Sequence, residues 1–198
     1  MVAASLAQLL ILQRDAVGLA LFDHQLRKRI PARSVSGHLD ILLAEMTRTE
    51  ATGLTDPTPP LHRLAEQLKR RGLVILISDL LLPPRNPETT VDMANRWSQV
   101  LKHFRHQGHD VMVFHVLHPD ELEFRFSGPV RFQGLEGEGA LLVDTHSVAH
   151  LYRARMAEYV ESLQRQCREH HVDYHRLLTT DSLGLALSSC LDKRRRLY

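Results

Sequence analysis

The chain predicts an α/β fold, a mostly parallel open sheet with helices on both faces, and three observations carry that expectation. Residues 73 to 80, Leu-Val-Ile-Leu-Ile-Ser-Asp-Leu, are apolar at every position up to Ser78 and Asp79, as in a strand covered on both faces. A second run of the same kind spans His109 to Leu117. Segments with helical apolar spacing alternate with these runs, the order expected of strands joined by helical crossovers. The 198 residues suit one domain, 1–198, large enough to bury a sizeable core.

From the start, Met1 to Gln13 has helical spacing through Leu6, Leu9 and Leu10 but no N-cap, and looks like the second half of a buried helix. Ala16 to Phe22 reads as a strand closed by Asp23, and Leu26 to Ile30 as a short edge strand alternating with Arg27 and Arg29. His38 to Thr49 returns to helical spacing, and a Thr- and Pro-rich loop runs from Ala51 to Pro60. Pro59 and Pro60 suit a first helical turn, where amides are unpaired anyway, and Leu61, Leu64, Ala65 and Leu68 form its buried stripe. Gly72 stops that helix before the Asp79 strand. A Pro-rich loop, Pro83 to Pro87, leads to a helix over Val91 to Gln107 that Gly108 ends, with Met93, Trp97 and Val100 on its core face. Glu121 to Val143 changes character, with short alternating pieces such as Glu123 to Phe126 and several glycines, and predicts a small antiparallel excursion. A long helix over Ser147 to His170, a strand over Val172 to Leu178 and a helix from Ser182 to about Arg194 complete the chain.

Charge and cysteine usage bound the function. Formal charge is +2, from 25 Lys and Arg against 23 Asp and Glu, so nothing calls for a nucleic-acid partner. Cys167 and Cys190 lack CxxC spacing, which fits a reduced, cytoplasmic setting. No apolar run reaches the roughly 18 residues a membrane span needs, and the first residues lack the basic flank of a leader. Histidines gather at His103, His106 and His109 and again around Cys167 at His170, His171 and His175, but each group lacks a convincing fourth zinc ligand.

Ligands of parallel sheets sit at the carboxyl ends of strands, which makes Asp79 the anchor of the site argument. Asp23, Thr55, Thr58, His118, Asp120 and Asp181 also follow strands or lie in strand-end loops. Oxygen donors meeting on one rim would suit Mg²⁺; the competing reading is that they cap turns.

Thr55-Asp56, the leucines at 61, 64 and 68, and Arg70-Arg71-Gly72-Leu73 through Ser78-Asp79-Leu80 resemble the family numbered fifty-eight among the domains of unknown function, DUF58. Supporting segments are Arg14 to Leu19 with Phe22, Gly108 to Val111, His118 to Phe124, and Asp173-Tyr174 to Thr180-Asp181. The resemblance implies a von Willebrand factor A-like (Rossmann-like) fold and a gene neighbourhood shared with MoxR-type AAA+ ATPases.

Domains of that type usually bind a divalent metal through a DxSxS motif, a loop Thr and a later Asp. By resemblance Thr55 takes the place of the loop Thr, with Thr58 as its fallback, and Asp79 that of the later Asp. No DxSxS occurs. In relatives it precedes the helix that Met1 to Gln13 resembles, so the chain is expected to begin after both the motif and the first central strand. Thr55 and Asp79 then form an incomplete metal site, weak or empty, with no cofactor expected. Mg²⁺ or Mn²⁺ would enter only if another chain or an omitted N-terminus supplied the motif. His118 stands where relatives commonly have Asp. The function implied is a non-catalytic adaptor, with Thr55, Thr58, Asp79 and Asp23 along its partner rim and a MoxR-type AAA+ ATPase as partner. Strands flanking the missing one would either close up or leave adhesive edges, so self-association is a further expectation. The alternative is a metal-dependent hydrolase acting on phosphate or ester substrates through Asp79, for which no nucleophile with an activating base is visible.

Overall fold

The computed structural model describes residues 1–49, 56–82, 89–134 and 139–184. At its centre lies a three-stranded parallel sheet in the order β3 (Leu73–Ser78), β4 (Asp110–Leu117) and β7 (Asp173–Leu178). Leu73 pairs with Asp110 and Ser78 with His115, while Met112 pairs with Asp173 and Leu117 with Leu178. β4 is the middle strand, and Val111 to His115 are all buried, as its unbroken apolar run requires.

Helices cover both faces. On one side α3 (Thr58–Gln67), α4 (Thr90–His106) and α6 (Thr145–Glu169) build the larger core with Val111, Val113 and Leu117. On the other, Leu6 and Leu9 of α1 (Val2–Leu12) pack on Met112, Phe114 and Leu177. α4 begins with a capping box in which Thr89 and Asp92 satisfy each other's amides. It ends at Gly108, whose left-handed φ of 84° lets the Gly108 and His109 amides bond back to Arg105 and Phe104. Trp97 and Val100 are fully buried, as their spacing predicts.

β1 (Val17–Phe22) and β2 (Leu26–Arg33) form a separate antiparallel pair, with α2 (His38–Arg48) following. β2 runs to Arg33, longer than the expected Leu26 to Ile30, and its edge position tolerates Pro31. Buried His38 at the start of α2 ties the pair down, its Nε2–H donating to the Val17 carbonyl at 2.7 Å. Among the described residues β1 pairs with β2 alone and β3 with β4 alone, so the strands on either side of the expected gap have not closed together.

The antiparallel excursion is the hairpin β5 (Pro129–Gln133) and β6 (Ala140–Asp144). Its first part differs from the expected alternating strand. Pro119–Glu123 is a short helix, α5, and Phe124 follows it in the left-handed region at φ 48°. Pro119 at the first helical position and a capping box between His118 and Glu121 outweigh the alternation. Thr55, residues 83–88 with the expected Pro-rich loop, residues 135–138, and most of the expected C-terminal helix with Cys190 lie outside the described residues. The whole is a mixed α/β fold of von Willebrand factor A-like arrangement, with a mostly parallel core sheet and antiparallel additions. No helix among the described residues is long and apolar enough to cross a membrane.

Candidate functional site

Asp79 sits where the sequence places it, exposed at the carboxyl end of β3. Its Oδ1 accepts the Leu81 amide at 3.1 Å, and Ser78 Oγ accepts the Leu80 amide at 3.0 Å, so both side chains shape the turn. Between them Leu80 holds φ at 56° and is fully buried. Its carbonyl takes the Trp97 Nε1–H of α4 at 2.7 Å and the Tyr159 hydroxyl of α6. Two helices thus clamp the residue next to the acid. Tyr159 itself is buried, and burial, reinforced by the Asp79 charge, pushes its hydroxyl well above the ordinary tyrosine range.

Beneath this turn lies His115, paired with Ser78 across β3 and β4. It is fully buried, with Nδ1 2.6 Å from the Tyr174 hydroxyl of β7. Burial pushes its pKa down to about 4, against a smaller upward pull from the Asp79 backbone carbonyl. The imidazole is neutral at neutral pH and serves as a core hydrogen-bonding group.

Thr58 opens α3, and its amide and hydroxyl both go to Asp56. Asp56 in turn meets Arg96 of α4, Nη2 to Oδ2 at 2.8 Å, with the Arg96 side chain only 10% exposed. The Thr58 hydroxyl is therefore spent on fixing α3 to α4. Asp23 lies in the β1–β2 turn, where it takes the Gln25 amide at 2.8 Å and Arg27 Nε at 2.5 Å. Burial works against the charge, yet these two partners hold the carboxyl below its ordinary pKa. Of the four expected rim residues, Asp79 is at the mouth of a cleft, Thr58 and Asp23 are engaged in local ties, and Thr55 lies outside the described residues.

That cleft, of about 1000 Å³, runs between β1 and β3. Val17 to Phe22 line one side and Ile75 to Asp79 the other, with Ala3, Leu6, Ala7 and Leu10 of α1 beneath. Pro57, Leu82 and Glu121 also border it. A second hollow of about 640 Å³ lies beside the β5–β6 hairpin, between Phe124, Phe126, Phe132, Leu141 and Tyr152, with Asp120 and Glu121 at its edge. The Phe124 ring sits 4.6 Å from Tyr152 and 5.7 Å from Phe132, centre to centre. Glu121 borders both spaces. On that hairpin Leu141 is 66% and Leu142 73% exposed.

A divalent hard cation wants six or more well-placed oxygens. Among the described residues no group of three His, Cys, Asp or Glu side chains is placed to hold a metal. Asp79 Oδ1 is bound to a backbone amide and the Thr58 hydroxyl to Asp56, while Thr55, the other expected ligand, lies outside the described residues. The histidines are dispersed too. His103 meets His62 of α3, Nδ1 to Nδ1 at 2.9 Å, and His170 meets Ser98 at 2.9 Å. Cys167 is buried, and burial pushes its thiol up to about 12. His118, Asp120 and Glu121 cap α5.

Sequence reasoning missed Leu80 with its two clamps, the Asp56–Arg96 tie and the aromatic hollow. A detectable signal existed for the last alone, since Phe124, Phe126 and Phe132 cluster within nine residues.

Solved structures share the fold, two of them as follows. The conserved hypothetical protein BatB from Bacteroides thetaiotaomicron superposes with a TM-score of 0.51 at 17% identity, covering 98% of this chain and 87% of that one. An aerotolerance-related membrane protein from Bacteroides fragilis gives 0.52 at 15% identity, covering 98% and 88%. At such identity the likeness concerns fold alone. No curated protein matches the sequence. The family model for the protein of unknown function DUF58 matches residues 1–166, and the chain belongs to that family.

Proposed function

We propose that the protein is a non-catalytic adaptor that acts in the cytoplasm and docks a MoxR-type AAA+ ATPase engaged in remodelling or maturing other proteins. The observation that carries this reading is that Glu121 borders both the Asp79 cleft and the aromatic hollow, whose edge carries the exposed Leu141. Contiguous exposed apolar groups bordered by charge are a mark of protein docking sites. Asp79 supplies a fixed carboxylate at the mouth of the cleft, oriented by the Leu81 amide, and the Leu80 clamp keeps the turn from relaxing. The contact is read as metal-independent, since Asp79 Oδ1 and the Thr58 hydroxyl are engaged in bonds within the protein.

Co-purification of the protein with a MoxR-type ATPase of the same organism tests the reading. Leu141→Asp should reduce capture at least tenfold, Leu142→Asp on the opposite face of the hairpin should change it little, Asp79→Ala should reduce it severalfold, and EDTA should leave it unchanged. No capture by the parent protein, or capture indifferent to both Leu141→Asp and Asp79→Ala, would discard the ATPase as partner.

A further inference from the structure

We propose that the hollow beside the β5–β6 hairpin receives an arginine and a neighbouring large apolar side chain from a partner protein, the apolar group among Phe132, Leu141 and Val148 and the guanidinium at Asp120 and Glu121. The proposal rests on the adaptor reading and states what the hollow takes from the partner.

Alternation along the hairpin builds the space. Phe132 pairs with Leu141 and Val130 with Val143, so Phe132, Leu141 and Val143 share one face. Val148 and Tyr152, one turn apart on α6, complete the walls with Phe124 and Phe126. Thr145 holds these parts together. It is fully buried, and its hydroxyl lies 2.9 Å from the Gly128 carbonyl and 3.2 Å from that of Phe126, while its amide donates to Gly128 as well. The base of the hairpin is thereby pinned to the start of α6, and the hollow is part of the folded chain. Its volume of about 640 Å³ lies within the range of pockets that enclose drug-sized ligands, room for two side chains and too little for a helix. Leu141 and Phe126 stand exposed on its walls.

Charge decides the other half of the occupant. No Lys or Arg lines the hollow; the ionisable groups there are His118, Asp120, Glu121 and Tyr152. Glu121 uses one carboxylate oxygen on the His118 amide, and the Asp120 carboxylate lies 3.3 Å from His118 Nδ1, a nitrogen that already accepts the Asp120 amide. Both carboxylates therefore keep acceptor capacity. Arg125, the cation that feels Asp120, is itself held by Glu123 at 2.6 Å. The Glu121 charge reaches the hollow, where it adds to burial in raising the Tyr152 pKa above its ordinary value. Two adjacent carboxylates match the forked donors of a guanidinium, and its flat, weakly hydrated faces suit aromatic walls better than a compact ammonium does.

Fluorescent eight-residue peptides presented to the full chain test this, each carrying Phe-Arg, Phe-Lys, Phe-Glu or Ala-Arg between Gly and Ser residues. Anisotropy should show Phe-Arg binding at least tenfold tighter than Phe-Glu and Ala-Arg, and severalfold tighter than Phe-Lys. Glu121→Gln, which retains an oxygen to cap α5, should narrow the preference for Arg over Glu at least threefold. Val148→Trp, which fills the hollow from a half-buried position on α6, should abolish binding while circular dichroism stays native. Methyl signals of Leu141 and Val148 should shift on binding, and those of Leu12 and Ile41, exposed elsewhere, should not. Equal binding of the four peptides, Phe-Lys matching Phe-Arg, no binding, or shifts spread alike over both sets of methyls would overturn the proposal. So would a concentration-dependent dimer in which Leu141 and Val148 are already shielded, because a second copy would then be the occupant. Phe-Arg binding with no ATPase capture would sink the ATPase reading alone; capture that needs Leu141, with no preference for Phe-Arg, would sink the arginine alone.

Discussion

Leu80 occupies the left-handed region while fully buried, a conformation that costs a non-glycine residue about 1–2 kcal/mol. Two donors on its carbonyl, from Trp97 and Tyr159, offset that cost and fix the turn that presents Asp79. Tyr159→Phe keeps the ring and removes one donor, so it should lower stability by about 1 kcal/mol in urea denaturation, with the Trp97 bond still in place. His115 gives the site a pH signature. Its folded pKa of about 4 lies below the ordinary 6.5, so the unfolded chain takes up the proton first as pH falls. Its contribution is full above pH 6.5 and is lost progressively toward pH 4, by about 3 kcal/mol in all. Urea midpoints measured between pH 7 and pH 4.5 should fall in the parent, and His115→Gln, which can still meet Tyr174, should flatten that fall. A residual slope is expected from His62. Burial and then the neighbouring His103 lower its pKa, so its contribution too is present above pH 6.5 and declines in acid.

Elements were legible in the sequence to the extent that local chemistry decides them. The β3 and β4 runs, the proline start of α3 and the Gly108 stop of α4 all depend on neighbours in sequence, and they fall within a residue or two of expectation. Glu123 to Phe126 was misread because alternation there serves a different end. Phe124 turns inward at a left-handed residue to pack on Tyr152, 28 positions later, instead of alternating along a strand. The site divides in the same way. Asp79 could be placed from the end of an apolar run, but its clamps come from residues 17 and 79 positions from Leu80 and carry no local signal. Asp56 likewise reads as a loop residue until Arg96 of α4 is brought against it. Asp56→Ala removes a 2.8 Å ion pair from a well-covered guanidinium and frees the Thr58 hydroxyl. Asp56→Ala should therefore cost about 3 kcal/mol, measured by thermal or urea unfolding, and loosen the start of α3. Asp23→Ala, which removes a turn pair whose Arg27 side is 43% exposed, should cost about 1 kcal/mol in the same assay.

At the scale of the whole molecule, the sheet is divided into parts of unequal security. β4 has hydrogen-bonded neighbours on both sides and buried side chains along most of its length. The β1–β2 pair shares no ladder with the central sheet among the described residues and is held by helix contacts and the His38–Val17 bond. Ladder bonds within the pair can break without breaking any in β3, β4 or β7, so the pair is a candidate for independent opening. Native-state hydrogen exchange should show amides of Val17 to Phe22 exchanging through an opening of lower free energy, with a small denaturant dependence. Amides of Val111 to Leu117 should exchange only through global unfolding, with the full denaturant dependence. Exchange of both sets at one common free energy would mean that the two parts unfold as a unit and that the cleft does not separate them energetically. His38→Ala should speed exchange in β1 by several fold while leaving β4 almost untouched, because it removes a tie specific to the pair.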